Sequence, residues 1–592
     1  MILSEGLRME LKMQRNAIKL IRQIVDYRSI TTPIIPYRAQ KAGFNPQLPL
    51  SQPFPRSTPE AQGISSERIL DFITALQNDK TLDMHNLMIL RNGHVIAECS
   101  FGAYRLDVWR ATHSLCKSIT GLAIGILIDE GMLSLEDRIV KIFEGRGNPL
   151  TPITKKGITV GNLLTMTSGI SFNEAGSVTD EDWVDSILTS SMKFEPGTEF
   201  HYNSMNSYLL SAIVKQVTGK GLVGYLQPRL FEPLGIAGIH WETCPKGIEK
   251  GGWGLYIRPE DAAKIGQLYL QGGRWKGRQI VSENWIKSST TPKVQTPREI
   301  GDFNYGYHIW VGRRQRSFLL NGMFGQNIIG YPDTGILIVS NGGNSELFQQ
   351  SSYFSHLKKY FGEDYSPPAK LPENWAAHRR LVKKIRELSL NTVPTSIFSI
   401  GHTLPRRCLQ LSGRSYAIDS ESCKAGLFPL ILQALQNNYS AAINRISFSV
   451  DKGVFLITIE EEDARHILPV GFTRPEYTTL DMHGEPYIAG IHGILSSNED
   501  GNTVLKIRIS FIETSSSRLL KFIFSGDELV VKCSEIPGRR FVRSYLDTLE
   551  KELASNRLFE TILSIVDNDY LDYKIERALE PVLHGKLEVK GT

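Results

Sequence analysis

Hydrophobic and polar positions follow two different periods along the chain. From His85, HNLMILRNGHVIAECSFG reads as two β-rich runs joined by Arg91-Asn92-Gly93, and Asn-Gly supplies the positive φ of a tight hairpin turn. Apolar positions three and four apart then predict helices over 115–131, 181–190 and 205–218. Strand patterns return at 304–311, 316–320, 326–331 and 335–340, separated by Gly and Pro-Asp turns. Strands at both ends with helices between them predict an α/β or α+β domain whose sheet combines distant parts of the chain.

Further along, RISFSV, GVFLITIE, YIAGIHGIL, TVLKIRISFIE, RLLKFIFSG and ELVVKC give a succession of short strands, several alternating apolar with polar, before a helix at 541–555. That pattern predicts a β-rich sandwich or barrel. Between the two regions the chain is first Pro-rich (SPPAKLPENW) and then charged (HRRLVKKIRE), as an interdomain connection would be. The Pro- and Gly-rich stretch 31–57 reads as an extended lead-in, and the basic, amphipathic 8–27 segment as a solvated or packed extension. The resulting division is an N-terminal extension at 1–54, a first domain at 55–362, a linker at 363–404 and a β-rich C-terminal domain of unassigned role at 405–592.

Composition narrows the class without choosing a function. A chain of 592 residues exceeds one hydrophobic core, and 22% charged with 41% hydrophobic residues is ordinary for globular proteins. The net charge of +5 is too dilute over this length to imply a nucleic-acid partner. Six cysteines without a CxxC pair favour a reducing compartment. The N-terminus lacks the apolar core of a signal peptide, and no segment reaches the roughly 18 apolar residues of a membrane span, so a cytoplasmic location is expected. The 13 histidines are scattered and HExxH is absent, so neither a metal nor a cofactor is expected.

The candidate chemistry lies in ATHSLCKSITGLAIGILIDEGMLSLEDRI, residues 111–139. The apolar positions Leu115, Ile119, Leu122, Ala123 and Ile126 place Ser114 at a helix start. Lys117, one turn on, shares its face and can bring an amine beside Oγ. A lysine removes a serine's proton only if burial or a cationic neighbour lowers its pKa well below about 10.4. The alternative is a helix-capping serine beside a solvated lysine.

The surroundings separate these readings. After SxxK come a long buried-type helix, ITVGNLLTMTSGI at 158–170, FEPGTEFHYNSMNSYLLSAIVKQVTG at 194–219, GGWGLYIRPEDAAKIGQLYLQGG, and NGMFGQNIIGYPDTGILIVSNGG. This ordered series, over roughly 55–360, resembles the serine β-lactamase and penicillin-binding protein superfamily, in particular its class C-like branch of esterases, D-aminopeptidases and 6-aminohexanoate-dimer hydrolase. The resemblance implies an α+β fold, an antiparallel sheet flanked by helices, to which the β-rich C-terminal domain is added. It also implies that Ser114 is the acylated serine, Lys117 the lysine that shares its proton, and Tyr202 in FHYNS a phenol between two cationic groups that acts as base.

Two departures bear on substrate. Ser204 stands where the family has the asparagine of its Tyr-x-Asn motif, with Asn203 between. Leu320-Asn321-Gly322 stands where a Lys-Thr-Gly strand would bind a β-lactam carboxylate, and an apolar Leu320 cannot pair with one. Gly322 would let the backbone approach closely, and Met323 N–H would join Ser114 N–H in an oxyanion hole, with Ser204 and Asn321 beside them.

The expectation is a serine hydrolase acting on a small ester or amide. A catalytically impaired sensor or binding module, and a β-lactamase or D-amino-acid peptidase, are the alternatives. His113 and His201 read as structural or rim residues, Cys116 as a buried small residue, and Trp253, Tyr256 and Tyr305 as pocket or core aromatics. The sequence sets no oligomeric state.

Overall fold

The computed structural model describes residues 38–177, 180–314, 316–390, 404–419, 425–553 and 568–588. The basic 8–27 segment and Cys423 lie outside the described residues. One sheet has seven antiparallel strands in the order His94–Ser100, Met84–Arg91, Ile336–Gly342, Gln326–Tyr331, Phe318–Gly322, Trp310–Val311 and Asn304–Tyr305. Its hairpin turns at Asn92 (φ 51°) and Gly93 (φ 74°), as Asn-Gly predicts. Strands from the two ends of the segment meet where Met84–Arg91 pairs with Ile336–Gly342.

Alternation along these strands feeds two separate cores. Met88, Leu90, Leu320, Ile328 and Val339 face the helices Lys117–Asp129, Ser204–Thr218 and Pro259–Leu270. Leu87, Ile89, Leu319, Ile329 and Ile338 face Ser66–Asn78, Ser352–Phe361 and Trp375–Leu388. The sheet is therefore the middle of three layers. Trp375–Leu388 falls inside the stretch read as a linker. Asn374 caps it, accepting from Ala377 N at 3.0 Å, and it buries Ala377, Leu381 and Leu388, so its charged pattern marks the solvent face of a packed helix.

The second sheet, between Ser415 and Leu587, has ten antiparallel strands. Its outer strands, Arg465–Val470 and Glu476–Met482, approach closure at Gly471, whose carbonyl accepts from Gly493 N at 2.8 Å. The interior is filled by rings: Phe448 lies 5.2 Å from Phe524 and 5.7 Å from Phe522. Among the described residues no helix is long and apolar enough to cross a membrane.

The two sheets share cores. Trp109 and Tyr256 pack with Ile512, and Phe324 packs with Phe541 and Ile575. The stretch 38–54 forms no helix or strand, yet Lys41 lies in this junction, paired with Glu513 at 2.9 Å with both side chains out of solvent. Removing one partner of such a pair strands a buried charge, whereas exposed pairs contribute little. Lys41→Met is expected to cost about 3 kcal/mol in urea unfolding. Lys383→Met, which breaks an exposed 3.8 Å pair with Glu387, is expected to cost less than about 0.5 kcal/mol in the same measurement.

Candidate active site

A short 3-10 turn, His113–Cys116, leads into the helix Lys117–Asp129. Ser114 is half-buried on that turn. Lys117 Nζ lies 2.8 Å from Ser114 Oγ and donates to Gly252 O at 2.8 Å. Lys117 is only 2% exposed, and the next ten residues of its helix are buried, so the amine cannot reach water by tilting the helix. Burial pushes its pKa from 10.5 down to about 8, against the nearby charge of Glu174.

Tyr202 completes the cluster. Its ring lies beside the amine, with Lys117 Nζ 5.0 Å from the ring centroid. Trp310 stacks on that ring at 5.6 Å, while Phe348 meets it edge-on at 5.2 Å. Burial raises the phenol well above its ordinary pKa, and the nearby Ser114 side chain offsets only part of this. The phenolate expected between two cations is therefore not favoured. Among the described residues Lys117 is the cation over this ring, and it is Lys117 whose proton is loosened.

The remaining candidates divide. Ser204 begins the helix Ser204–Thr218, its N–H donating to Glu174 Oε1 at 2.8 Å, and its Cβ crowds Gly252. It packs beside Gly252, the residue whose carbonyl accepts from Lys117. Asn203 caps the same helix and donates to Ile170 O and Phe172 O, a structural role. Gly322 passes so close to the serine turn that a Cβ there would sit 2.2 Å from Thr112 O, which brings Met323 to the site's edge. The Asn321 amide is held inside the sheet by Asn327 and Gln349. Leu320 is fully buried against Ile328 in the core. His113 and His201 bond Ser515 and Lys193, and burial holds both near a pKa of about 4. Tyr256 and Tyr305 are core residues, and Trp253 stacks on Trp183.

Gly252 O and Glu174 escaped the sequence reading. The Gly251-Gly252 pair was the available signal, because a Cβ on Gly252 would lie 2.9 Å from Ser204 O.

The Beta-lactamase family matches residues 75–349. This part of the chain belongs to the serine β-lactamase and penicillin-binding protein superfamily. The β-lactamase-family domain is 29% identical over 223 residues to the 6-aminohexanoate-dimer hydrolase of Paenarthrobacter ureafaciens, a match covering 34% of this chain and 55% of that protein. It is 30% identical over 172 residues to protein flp of Staphylococcus aureus (strain NCTC 8325 / PS 47), covering 25% of this chain and 33% of flp. The chain thus spans about half or less of these two relatives. The octameric penicillin-binding protein homologue from Pyrococcus abyssi superposes with a TM-score of 0.40 at 19% identity, over 78% of this chain and 99% of that one.

Lys117 links the β-lactamase-family domain's stability to pH. Between about 8 and 10.5 the folded chain holds fewer protons at this position than the unfolded chain does. Stability from this group therefore rises with pH through that window, and below it the full cost of burying an ammonium applies. From pH 7 to pH 10 the unfolding free energy of the natural chain is expected to gain on the order of 2 kcal/mol relative to Lys117→Met, measured in urea at both pH values.

Proposed function

We propose that the protein is a serine hydrolase that forms an acyl-enzyme on Ser114 and acts on small, uncharged esters or amides. The observation that carries this reading is the 2.8 Å contact between Ser114 Oγ and an amine whose pKa burial has brought to about 8. A substantial fraction of Lys117 is then neutral at mildly alkaline pH and can accept the hydroxyl proton.

Ser114 Oγ attacks the carbonyl carbon as its proton passes to Lys117 Nζ. The oxyanion that forms is met by the backbone N–H groups of Ser114 and Met323. Collapse breaks the bond to the leaving alkoxide or amine, which takes a proton from Lys117 through the neutral Tyr202 hydroxyl. Water then attacks the acyl carbon, giving its proton to the same groups, and the acid leaves with Ser114 restored. The Paenarthrobacter relative's name, 6-aminohexanoate-dimer hydrolase, agrees with a hydrolytic reading.

With Leu320 buried in the core, the Leu320-Asn321-Gly322 strand offers no cation to a β-lactam carboxylate. A missing charge-assisted contact of about 3 kcal/mol corresponds to roughly 10²-fold in kcat/KM. p-Nitrophenyl acetate is therefore expected to be turned over at least that much better than nitrocefin.

The test is intact mass after a fluorophosphonate probe. One adduct is expected on the natural chain and none on Ser114→Ala. Lys117→Ala and Tyr202→Phe should each lower turnover on the order of 10³-fold without adding in combination. The kcat/KM profile should rise with pH through about 8. An unlabelled natural chain, or near-normal turnover in Lys117→Ala, would overturn the reading in favour of a binding module or another mechanism.

A further inference from the structure

Two residues flanking the candidate oxyanion site have left-handed backbones. His113, immediately before Ser114, has φ 48°, and Phe324, immediately after Met323, has φ 65°. Neither is glycine, so each conformation costs free energy and persists only where the surroundings enforce it. Their rings meet edge-on at 5.1 Å. Each is also held from the same direction: Phe324 lies 4.6 Å from Phe541, and His113 Nε2 lies 3.2 Å from Ser515 Oγ. Phe541 and Ser515 both belong to the C-terminal domain.

We propose that the barrel turn Ile512–Ser516 is a positioning element for the oxyanion site, with the Ser515 hydroxyl fixing the serine turn relative to the strand that follows Met323. The inference rests on the reading of Ser114 as nucleophile.

Connecting turns normally run over a protein's surface, because their polar backbone needs water. Here Ile512, Glu513, Thr514, Ser515 and Ser516 are all buried. Much of their polarity is met by the approach to Ser114. Ala111 N donates to Glu513 O at 2.8 Å, Trp109 Nε1 to Glu513 Oε1 at 2.5 Å, and the Arg110 guanidinium to Ile512 O. Lys41 and Ile488 N complete the bonds to the Glu513 carboxylate.

Ser515 spans the gap between the two halves of the site. Gln326, the first residue of the strand after Met323–Gly325, donates through Nε2 to Ser515 Oγ at 3.1 Å and to Gly342 O at 2.8 Å. His113 is neutral because burial holds its pKa near 4, so its Nε2 can accept the Ser515 hydroxyl proton. One hydroxyl thus accepts from the strand that follows Met323–Gly325 and donates to the residue beside Ser114. On the opposite side Gly322 already touches Thr112 and Leu115, so the serine turn is gripped between sheet and barrel.

The test uses the full chain and Ser515→Ala, His113→Gly and the double variant. A glycine at 113 adopts φ 48° without enforcement, so it removes the need for the brace. Ser515→Ala is expected to lower kcat about tenfold with KM changed less than twofold, and to weaken a boronic acid transition-state analogue in parallel. Hydrogen exchange of the peptide covering 109–116 should quicken. In the His113→Gly background, Ser515→Ala should change kcat less than twofold further. Unchanged kcat and analogue affinity in Ser515→Ala, or fully independent effects of the two substitutions, would overturn the proposal. A natural chain that takes no fluorophosphonate at Ser114 would instead sink the nucleophile reading. The brace is then judged on exchange alone, and unchanged exchange in Ser515→Ala refutes it.

Discussion

Keeping the Lys117 amine away from water is the constraint around which the candidate site is built. A buried ammonium is tolerable only where oxygens lie within hydrogen-bond reach, and this one has Ser114 Oγ and Gly252 O. Three distant segments must then converge on one nitrogen. The buried helix Lys117–Asp129 fixes its origin, the Gly251-Gly252 pair brings a carbonyl close because no Cβ intervenes, and the Tyr202 ring covers it. The same desolvation that loosens the lysine proton tightens the tyrosine proton, so one environment pushes the two groups in opposite directions.

Around that point the molecule has two contrasting sheets. The first is covered by helices on both faces and offers its strand end at Gly322 to the serine turn. The second curls on itself and fills its interior with phenylalanine rings, so what it presents to the rest of the chain is its turns and outer helices. Among these, Ile512–Ser516 meets the first domain at His113 and the helix Arg539–Leu553 meets it at Phe324.

What could be read from the sequence was what depends on neighbours in the chain. The Asn92-Gly93 turn, the helical spacing after Ser114 and the alternating strands of the barrel are local patterns, and the fold class followed from their order. Ser114 and Lys117 lie three residues apart, and the helix alone brings them together. Tyr202 was located by its place in the order of motifs, but its protonation could not be, because that depends on Trp310 and Phe348 more than a hundred residues away. A polar Thr-Ser-Ser-Ser run reads as an exposed turn. Only the partners of its neighbour Glu513, at Lys41, Trp109 and Ala111, show why this one is buried. The Trp375–Leu388 helix was overlooked for the reverse reason: its buried face is three residues wide, and its charges dominate the pattern.

The strand Val582–Leu587 is the last of the barrel in sequence but sits inside its sheet, bonded to Ser415–Ile418 on one side and Glu528–Ile536 on the other. A ribosome makes Ser114 and Lys117 more than four hundred residues before this strand. Until it emerges, the barrel's two halves have no continuous ladder between them, and the turn that grips residues 109–113 stands on an unfinished scaffold. Translation order therefore makes the serine–lysine pair early and its surroundings late, so a nascent chain carries the pair well before it carries the barrel that packs against it.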